Sequence, residues 1–297
     1  MSNLQSSIPR LRQDAEYFRA VVRFTAQVTE FAPRLIEKDC LCTVLLEYLS
    51  QTDNALVFKG GTCLAKVHAD FYRLSEDLDF VIPTAVDSPR AARRREAAAI
   101  AKLIDGLPYH LPFFRVVQPL RGANNSTQYN AVIGYAPLVE HQNDTIKIEV
   151  ALREPLLLGP IRGTAQTILR DPVSGSPLIP PLAVNCISKM EAFAEKFRAA
   201  LSRREVAVRD FFDLDYAVQR LGIRPEDADL MELVRTKVVM PGNEPVNISA
   251  NRLATLRRQV ESEIRPVLRM DDYSKFDIER AIKLVVAMSS SLHLFRK

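Results

Sequence analysis

Two aspartates at alternate positions, Asp77 and Asp79, lie in the segment Arg73-Leu74-Ser75-Glu76-Asp77-Leu78-Asp79-Phe80. In an extended strand, residues two apart share a face, so Ser75, Asp77 and Asp79 project together while Leu78, Phe80 and Ile82 turn toward a core. Carboxylates about 7 Å apart along a strand repel one another unless a cation sits between them. Mg2+ meets that need: it binds through one or two carboxylates plus substrate phosphate oxygens, the division of ligands used in phosphoryl transfer. A two-ion site commonly wants a third acid, and Thr145-Ile146-Lys147-Ile148-Glu149-Val150 offers Glu149. Its isoleucines and Val150 form one face, Lys147 and Glu149 the other. If this strand lies beside residues 78–82, Glu149 joins Asp77 and Asp79 as a metal ligand.

Phosphate needs a place to approach the backbone. Lys59-Gly60-Gly61-Thr62 follows a short apolar run at 55–58 and precedes the helical period Leu64, Val67, Phe71. Two residues without Cβ open the main chain to a phosphate, and a helix N-terminus favours negative charge. Thr62 adds a hydroxyl. Lys66, one turn on, could reach a phosphate or simply pair with Asp70. The Gly-x-x-x-x-Gly-Lys-Ser/Thr loop is absent. Gly-Gly alone is often only a turn, and Asp-x-Asp alone is frequently a solvated strand end. The strand–turn–helix order with both present is what argues for nucleotide chemistry.

These groups require strands to carry them. Besides 55–58 and 78–82, the sequence predicts strands at 113–118, 128–135 and 145–152, separated by Asn-, Gly- or Pro-bearing turns, and a short one at 166–169. Helices are expected within 16–50, broken at Pro33, and at 88–107, opened by Ser88 as cap with Pro89 behind it. The Gly- and Pro-rich stretch 155–181 separates this α/β lobe, residues 1–182, from a helical lobe, 183–297. That second lobe has expected helices at 184–202, 208–221, 225–238, 249–268 and 276–292.

Of the 297 residues, 47% are hydrophobic and 26% charged, which excludes a wholly disordered, collagen-like or membrane-embedded chain. Forty Lys+Arg against 36 Asp+Glu give a net charge of +4, which permits a polyanionic partner without demanding one. Arg93-Arg94-Arg95, Arg203-Arg204 and Arg257-Arg258 concentrate that charge. Cys40, Cys42, Cys63 and Cys186 show no paired spacing and read as buried thiols rather than zinc ligands. His68, His110, His141 and His293 are scattered and carry no expected role. Without a signal-peptide core or a run of roughly 18 to 20 apolar residues, a soluble cytoplasmic protein with no membrane partner is expected.

Gly60-Gly61-Thr62 followed by Arg73-x-Ser75-x-Asp77-x-Asp79-Phe80 resembles the DNA-polymerase-β-type nucleotidyltransferase superfamily. Within it the chain is similar to the AbiEii/AbiGii toxin family, the toxic half of bacterial toxin–antitoxin and phage-exclusion systems. Ala194-Glu195-Lys196-Phe197-Arg198-Ala199 and Arg209-Asp210-Phe211-Phe212-Asp213-Leu214 resemble that family's later signatures, so the likeness covers 58–214. Fourteen residues separate Thr62 from Asp77, more than the superfamily's common spacing, implying an added helical turn.

The resemblance implies a polymerase-β-type α/β lobe with a mixed sheet and a helical C-terminal lobe. It makes Asp77 and Asp79 catalytic metal ligands with Glu149 as third acid. Gly60, Gly61, Thr62, Lys66 and Ser75 would be nucleotide contacts, Lys196 a triphosphate or leaving-group contact, with Lys189 as a fallback, and Asp210 the base for an acceptor hydroxyl. It further implies Mg2+, an NTP substrate, transfer to an RNA 3′ end at the tRNA acceptor stem, growth arrest, and a separately encoded antitoxin. The alternatives are the same chemistry on a protein or small molecule, or a non-catalytic NTP- or RNA-binding module.

Overall fold

The computed structural model describes residues 7–50, 55–140 and 142–292; His141 and His293 lie outside them. The chain divides into two compact units, Met1–Leu156 with Pro160–Ile187, and Leu157–Gly159 with Ser188–Lys297.

The first unit opens with helices α1 (Ser7–Leu11), α2 (Ala15–Thr29) and α3 (Pro33–Ser50). Asp14 caps α2 by accepting the Tyr17 N–H at 3.0 Å, and Pro33 opens α3, where its missing donor costs nothing. Then come β1 (Val57–Lys59) and α4 (Gly60–Cys63), which widens into a π turn over Leu64–His68, followed by β2 (Leu78–Val81) and α5 (Arg90–His110). Five strands complete it: β3 (Phe114–Ala123), β4 (Gln128–Tyr135), β5 (Asp144–Ala151), β6 (Pro160–Ala165) and β7 (Leu182–Ile187). Among the described residues they form a seven-stranded mixed sheet in the order β3-β4-β5-β2-β1-β7-β6. Strands β2 and β5 run parallel, as do β1 and β7, while the other pairs are antiparallel. On β5 the expected alternation holds: Ile146, Ile148 and Val150 are buried and Thr145 and Lys147 exposed.

Three local expectations fail for identifiable reasons. Residues 182–187 form strand β7, not the first turns of a helix; Ser188 accepts the Glu191 N–H at 3.2 Å and starts the helix only at Lys189. Strand structure in the Gly/Pro-rich stretch lies at β6, where it pairs with β7, rather than at 166–169. The extra residues between Thr62 and Asp77 do not lengthen a helix. They make the π turn and then two left-handed residues, Asp70 and Phe71, with φ of 44° and 53°. A smaller difference is at α5, whose cap is Pro89 without a side-chain hydrogen bond.

The second unit is helical: α6 (Lys189–Ser202), α7 (Val208–Arg220), α8 (Ala228–Val239), α9 (Ala250–Gln259), α10 (Met270–Lys275) and α11 (Ile278–Ser291). The residues after α9 turn through a π segment and a 3-10 segment instead of continuing one helix to Leu268. Arg280 of α11 grips both carboxylate oxygens of Asp215 on α7, at 2.6 and 2.7 Å. Among the described residues no helix is long and apolar enough to cross a membrane.

Candidate active site

Strand register gathers the sheet's polar groups. Antiparallel β1 places Lys59 opposite Asp79, parallel β5 places Glu149 beside Asp79, and β4 places Asn130 beside Glu149. Paired residues share a face, so Lys59, Asp79, Glu149 and Asn130 form one row across four strands. Asp77, just before β2, is tied to β5: its Oδ1 accepts the Lys147 N–H at 3.3 Å. The Lys147 ammonium donates to Glu149 Oε2 at 3.0 Å. Burial acts to lower the Lys147 pKa, but the bond to Glu149 and the charges of Glu149, Asp77 and Asp79 prevail and raise it. Asp77, Asp79, Glu149 and Lys147 thus belong to a single electrostatic cluster. Burial lifts Asp77 above the usual carboxylate range, and the Lys147 N–H offsets this only in part.

The glycine turn is shaped around these acids. Gly60 has φ of 76°, and a Cβ there would lie 2.0 Å from Asp79 Oδ2; both conformation and space demand glycine. A Cβ on Gly61 would lie 2.7 Å from an Arg73 guanidinium nitrogen and 2.9 Å from Ser75 Oγ. Thr62 is buried, and its hydroxyl donates to the Asp77 carbonyl oxygen. It fixes the main chain of a site acid rather than presenting a hydroxyl to a phosphate.

Lys66 does not join the group. Its side chain is fully buried, with the ammonium 2.8 Å from Asp39 Oδ2 and 2.8 Å from Thr43 Oγ1, both on α3. It pairs neither with a phosphate position nor with Asp70. The helical wheel placed it on the Thr62 face; the π turn and the buried acid on α3 send it into the core.

Behind the acids, α3 holds their strands. Lys38 bonds Glu76 at 3.0 Å and Asp144 at 3.2 Å, and Arg34 bonds the same two carboxylates at 3.0 and 2.9 Å. Glu76 precedes Asp77 and Asp144 opens β5, so these pairs clamp the N-terminal approaches to both acid-bearing strands together.

An all-oxygen set of Asp77, Asp79 and Glu149 suits a hard divalent cation of the Mg2+ type.

In the second unit, α6 and α7 bring together Lys196, Asp210 and Asp213. The Lys196 ammonium lies 2.8 Å from Asp210 Oδ1 and 2.8 Å from Asp213 Oδ2, and Arg203 lies 3.4 Å from Asp210 Oδ2. Asp213 is fully buried; its role was missed in the sequence, though its place one helical turn after Asp210 puts both acids on one face. Lys189 instead donates to the Leu221 carbonyl at 3.0 Å, closing the end of α7. A groove of about 680 Å³ beside Asp210 is lined by Arg203, Arg204, Asn247, Arg252 and Gln259. Of the arginine cluster at 93–95, Arg93 is buried and donates to the Val86 carbonyl at 3.0 Å, while Arg94 and Arg95 are exposed.

The family model for the nucleotidyl transferase AbiEii toxin of type IV toxin–antitoxin systems matches residues 44–282. Among solved structures, the chain is similar to MenT4, a nucleotidyltransferase toxin from Mycobacterium tuberculosis H37Rv. The TM-score is 0.55 at 21% identity, covering 94% of this chain and 99% of that one. It is also similar to a candidate nucleotidyltransferase from H. pylori, with a TM-score of 0.50 at 14% identity, covering 89% of this chain and 96% of the other. At these identities the structural likeness is one of fold. No curated protein matches the chain.

Proposed function

Since the chain belongs to the AbiEii family of nucleotidyltransferase toxins, we propose that it transfers a nucleotidyl group from an NTP to an RNA 3′ hydroxyl, with the tRNA acceptor end as target. The family is that of a type IV toxin–antitoxin system, so an antitoxin counterpart and an NTP substrate come with it. The RNA acceptor, the choice of Mg2+ and the roles of individual residues are our reading.

The observation that carries it is the register placing Glu149 beside Asp79, with Asp77 tied to the same strand through Lys147. We assign Asp77, Asp79 and Glu149 to hold Mg2+. The bound ion would neutralise phosphate charge and favour in-line attack on the α-phosphorus. Gly60 and Gly61 let Asp79, Arg73 and Ser75 pack against the turn, and the triphosphate would approach these groups. Lys147, which donates to Glu149 Oε2, would turn to a phosphate oxygen once a cation takes that acid.

In the helical unit, Lys196 is assigned to the departing pyrophosphate and Asp210 to accepting the acceptor hydroxyl's proton. Both Asp210 oxygens already hold cations, so one of these pairs must open before the carboxylate can act as base. The groove carrying Arg203, Arg204 and Arg252 offers backbone-phosphate contacts that position RNA without reading its sequence.

The test is incubation of the folded protein with each α-labelled NTP, Mg2+ and total RNA. Label in tRNA-sized RNA is expected. Absence of label with all four NTPs overturns the proposal, and label in protein or an organic-soluble product moves the chemistry to another acceptor.

A further inference from the structure

Behind the glycine turn lies a cluster that nucleotidyl transfer does not use. Cys63 ends α4, His68 ends the π turn, and Cys186 comes from β7, which pairs with β1. One potential ligand atom from each residue lies within 4.8 Å of the others. The two cysteines are fully buried and His68 is half-buried, giving the cluster an edge toward solvent.

We propose that Cys63, His68 and Cys186 form a binding site for a soft divalent metal of the Zn2+ class.

Three features of the fold support it. On an α-helix, residues five apart point about 140° away from each other. The wider i→i+5 turn over Leu64–His68 narrows that angle and brings His68 under Cys63, and such turns recur at functional sites. His68 Nε2 lies 3.0 Å from the Ile187 carbonyl oxygen. A carbonyl can only accept, so Nε2 carries the proton and a neutral ring keeps its lone pair on Nδ1; a carbonyl-oriented imidazole is the usual outer partner of a metal-binding histidine. Gly163 of β6 leaves the sulfur its space, since a Cβ there would lie 2.5 Å from Cys186 Sγ. The Cys63 and His68 side chains both hydrogen-bond Cys186. Bonds of about 2.3 Å to sulfur and 2.0 Å to nitrogen need the three atoms to draw in by roughly an ångström. Thiol protons leave to water on binding, and a solvent molecule completes four-coordination. The sequence hid the site because Cys186 is remote from Cys63 and neither belongs to a Cys-x-x-Cys pair. Filled, it would brace the turn carrying Gly60–Thr62 against β7.

The test uses the reduced full-length chain, stripped by chelator and titrated with Co2+, then Zn2+. The site predicts near-ultraviolet thiolate-to-cobalt absorption that saturates at one equivalent and is displaced by Zn2+. Cobalt on the carboxylate cluster would give no such band. Cys63→Ser and Cys186→Ser should abolish the band while Cys40→Ser keeps it. In the unmodified chain, zinc at ten times its Kd should slow alkylation of Cys63 and Cys186 about tenfold, read by peptide mass mapping. That readout does not depend on the serine variants folding. Absence of the cobalt–thiolate band, or alkylation rates indifferent to zinc, overturns the proposal and leaves a hydrogen-bonded thiol pair.

Discussion

Glu76 and Asp77 are neighbours in sequence with opposite surroundings. Glu76 turns toward α3, where Arg34 and Lys38 bind it together with Asp144. Burial acts to raise its pKa, but the two cations outweigh burial and hold it below the usual range. Asp77 turns to the other face, toward Glu149 and Lys147, and burial raises it. The first cluster has cations built in and joins strands together. The second gathers Asp77, Asp79 and Glu149 on one patch of sheet, an all-oxygen set that suits an external metal ion. Placement rather than acidity separates a structural acid from a candidate catalytic one, and strand alternation makes the choice.

The two clusters should respond oppositely in activity and in stability. Asp79→Asn should lower nucleotidyl transfer by about 10³-fold, the scale on which lost transition-state charge stabilisation is felt. Its urea midpoint should change little, because the substitution keeps the side chain's size and hydrogen-bonding capacity on the polar face of the sheet. Lys66→Met should do the reverse. It leaves Asp39 buried without its cation, costing about 3 kcal/mol of stability, while the folded fraction keeps its KM for NTP within about twofold, since Lys66 touches no substrate. An increase in KM with unchanged stability would return Lys66 to the nucleotide site. Gly60→Ala should cost about 10²-fold in transfer through displacement of Asp79, read as a fall in kcat with a smaller change in KM.

Acidification sharpens the contrast with least disturbance. Glu76 and Asp144 have folded values below their ordinary 4.5 and 3.8. Their stabilising contribution is therefore complete above those values and is lost as pH falls through the lower folded ones. Asp77 lies above its ordinary 3.8, so protons compete for it at higher pH. Mn2+ affinity should decline first as pH is lowered, and urea stability only afterwards; the opposite order would remove the distinction.

The shared face of the candidate acids was legible because period-2 alternation carries its own geometry. Asp77, Asp79 and Glu149 could be assigned to faces from Leu78, Phe80, Ile146, Ile148 and Val150 alone. Partners set by long-range register could not: Asn130 beside Glu149 depends on β4–β5 pairing, and the fate of Lys66 depends on an acid on α3. Thr62 was placed correctly beside the turn, but its hydroxyl is used by the Asp77 carbonyl. Strand β7 was hidden because Val184, Cys186 and Ile187 run without a break into the apolar face of α6. The boundary did have a local sign, Ser188 with Glu191 three residues later, the spacing of a capping box. The π turn had no such mark, since its cause lies in packing around Lys66 and in the left-handed residues that follow.

The most direct measurement of the central claim is label transfer from α-labelled NTP to total RNA in the presence of Mg2+, comparing the unmodified chain, Asp79→Asn and Glu76→Gln at equal folded fraction. Labelled RNA is expected with the unmodified chain and Glu76→Gln, and none above background with Asp79→Asn. Equal labelling by Asp79→Asn and the unmodified chain would contradict the central claim.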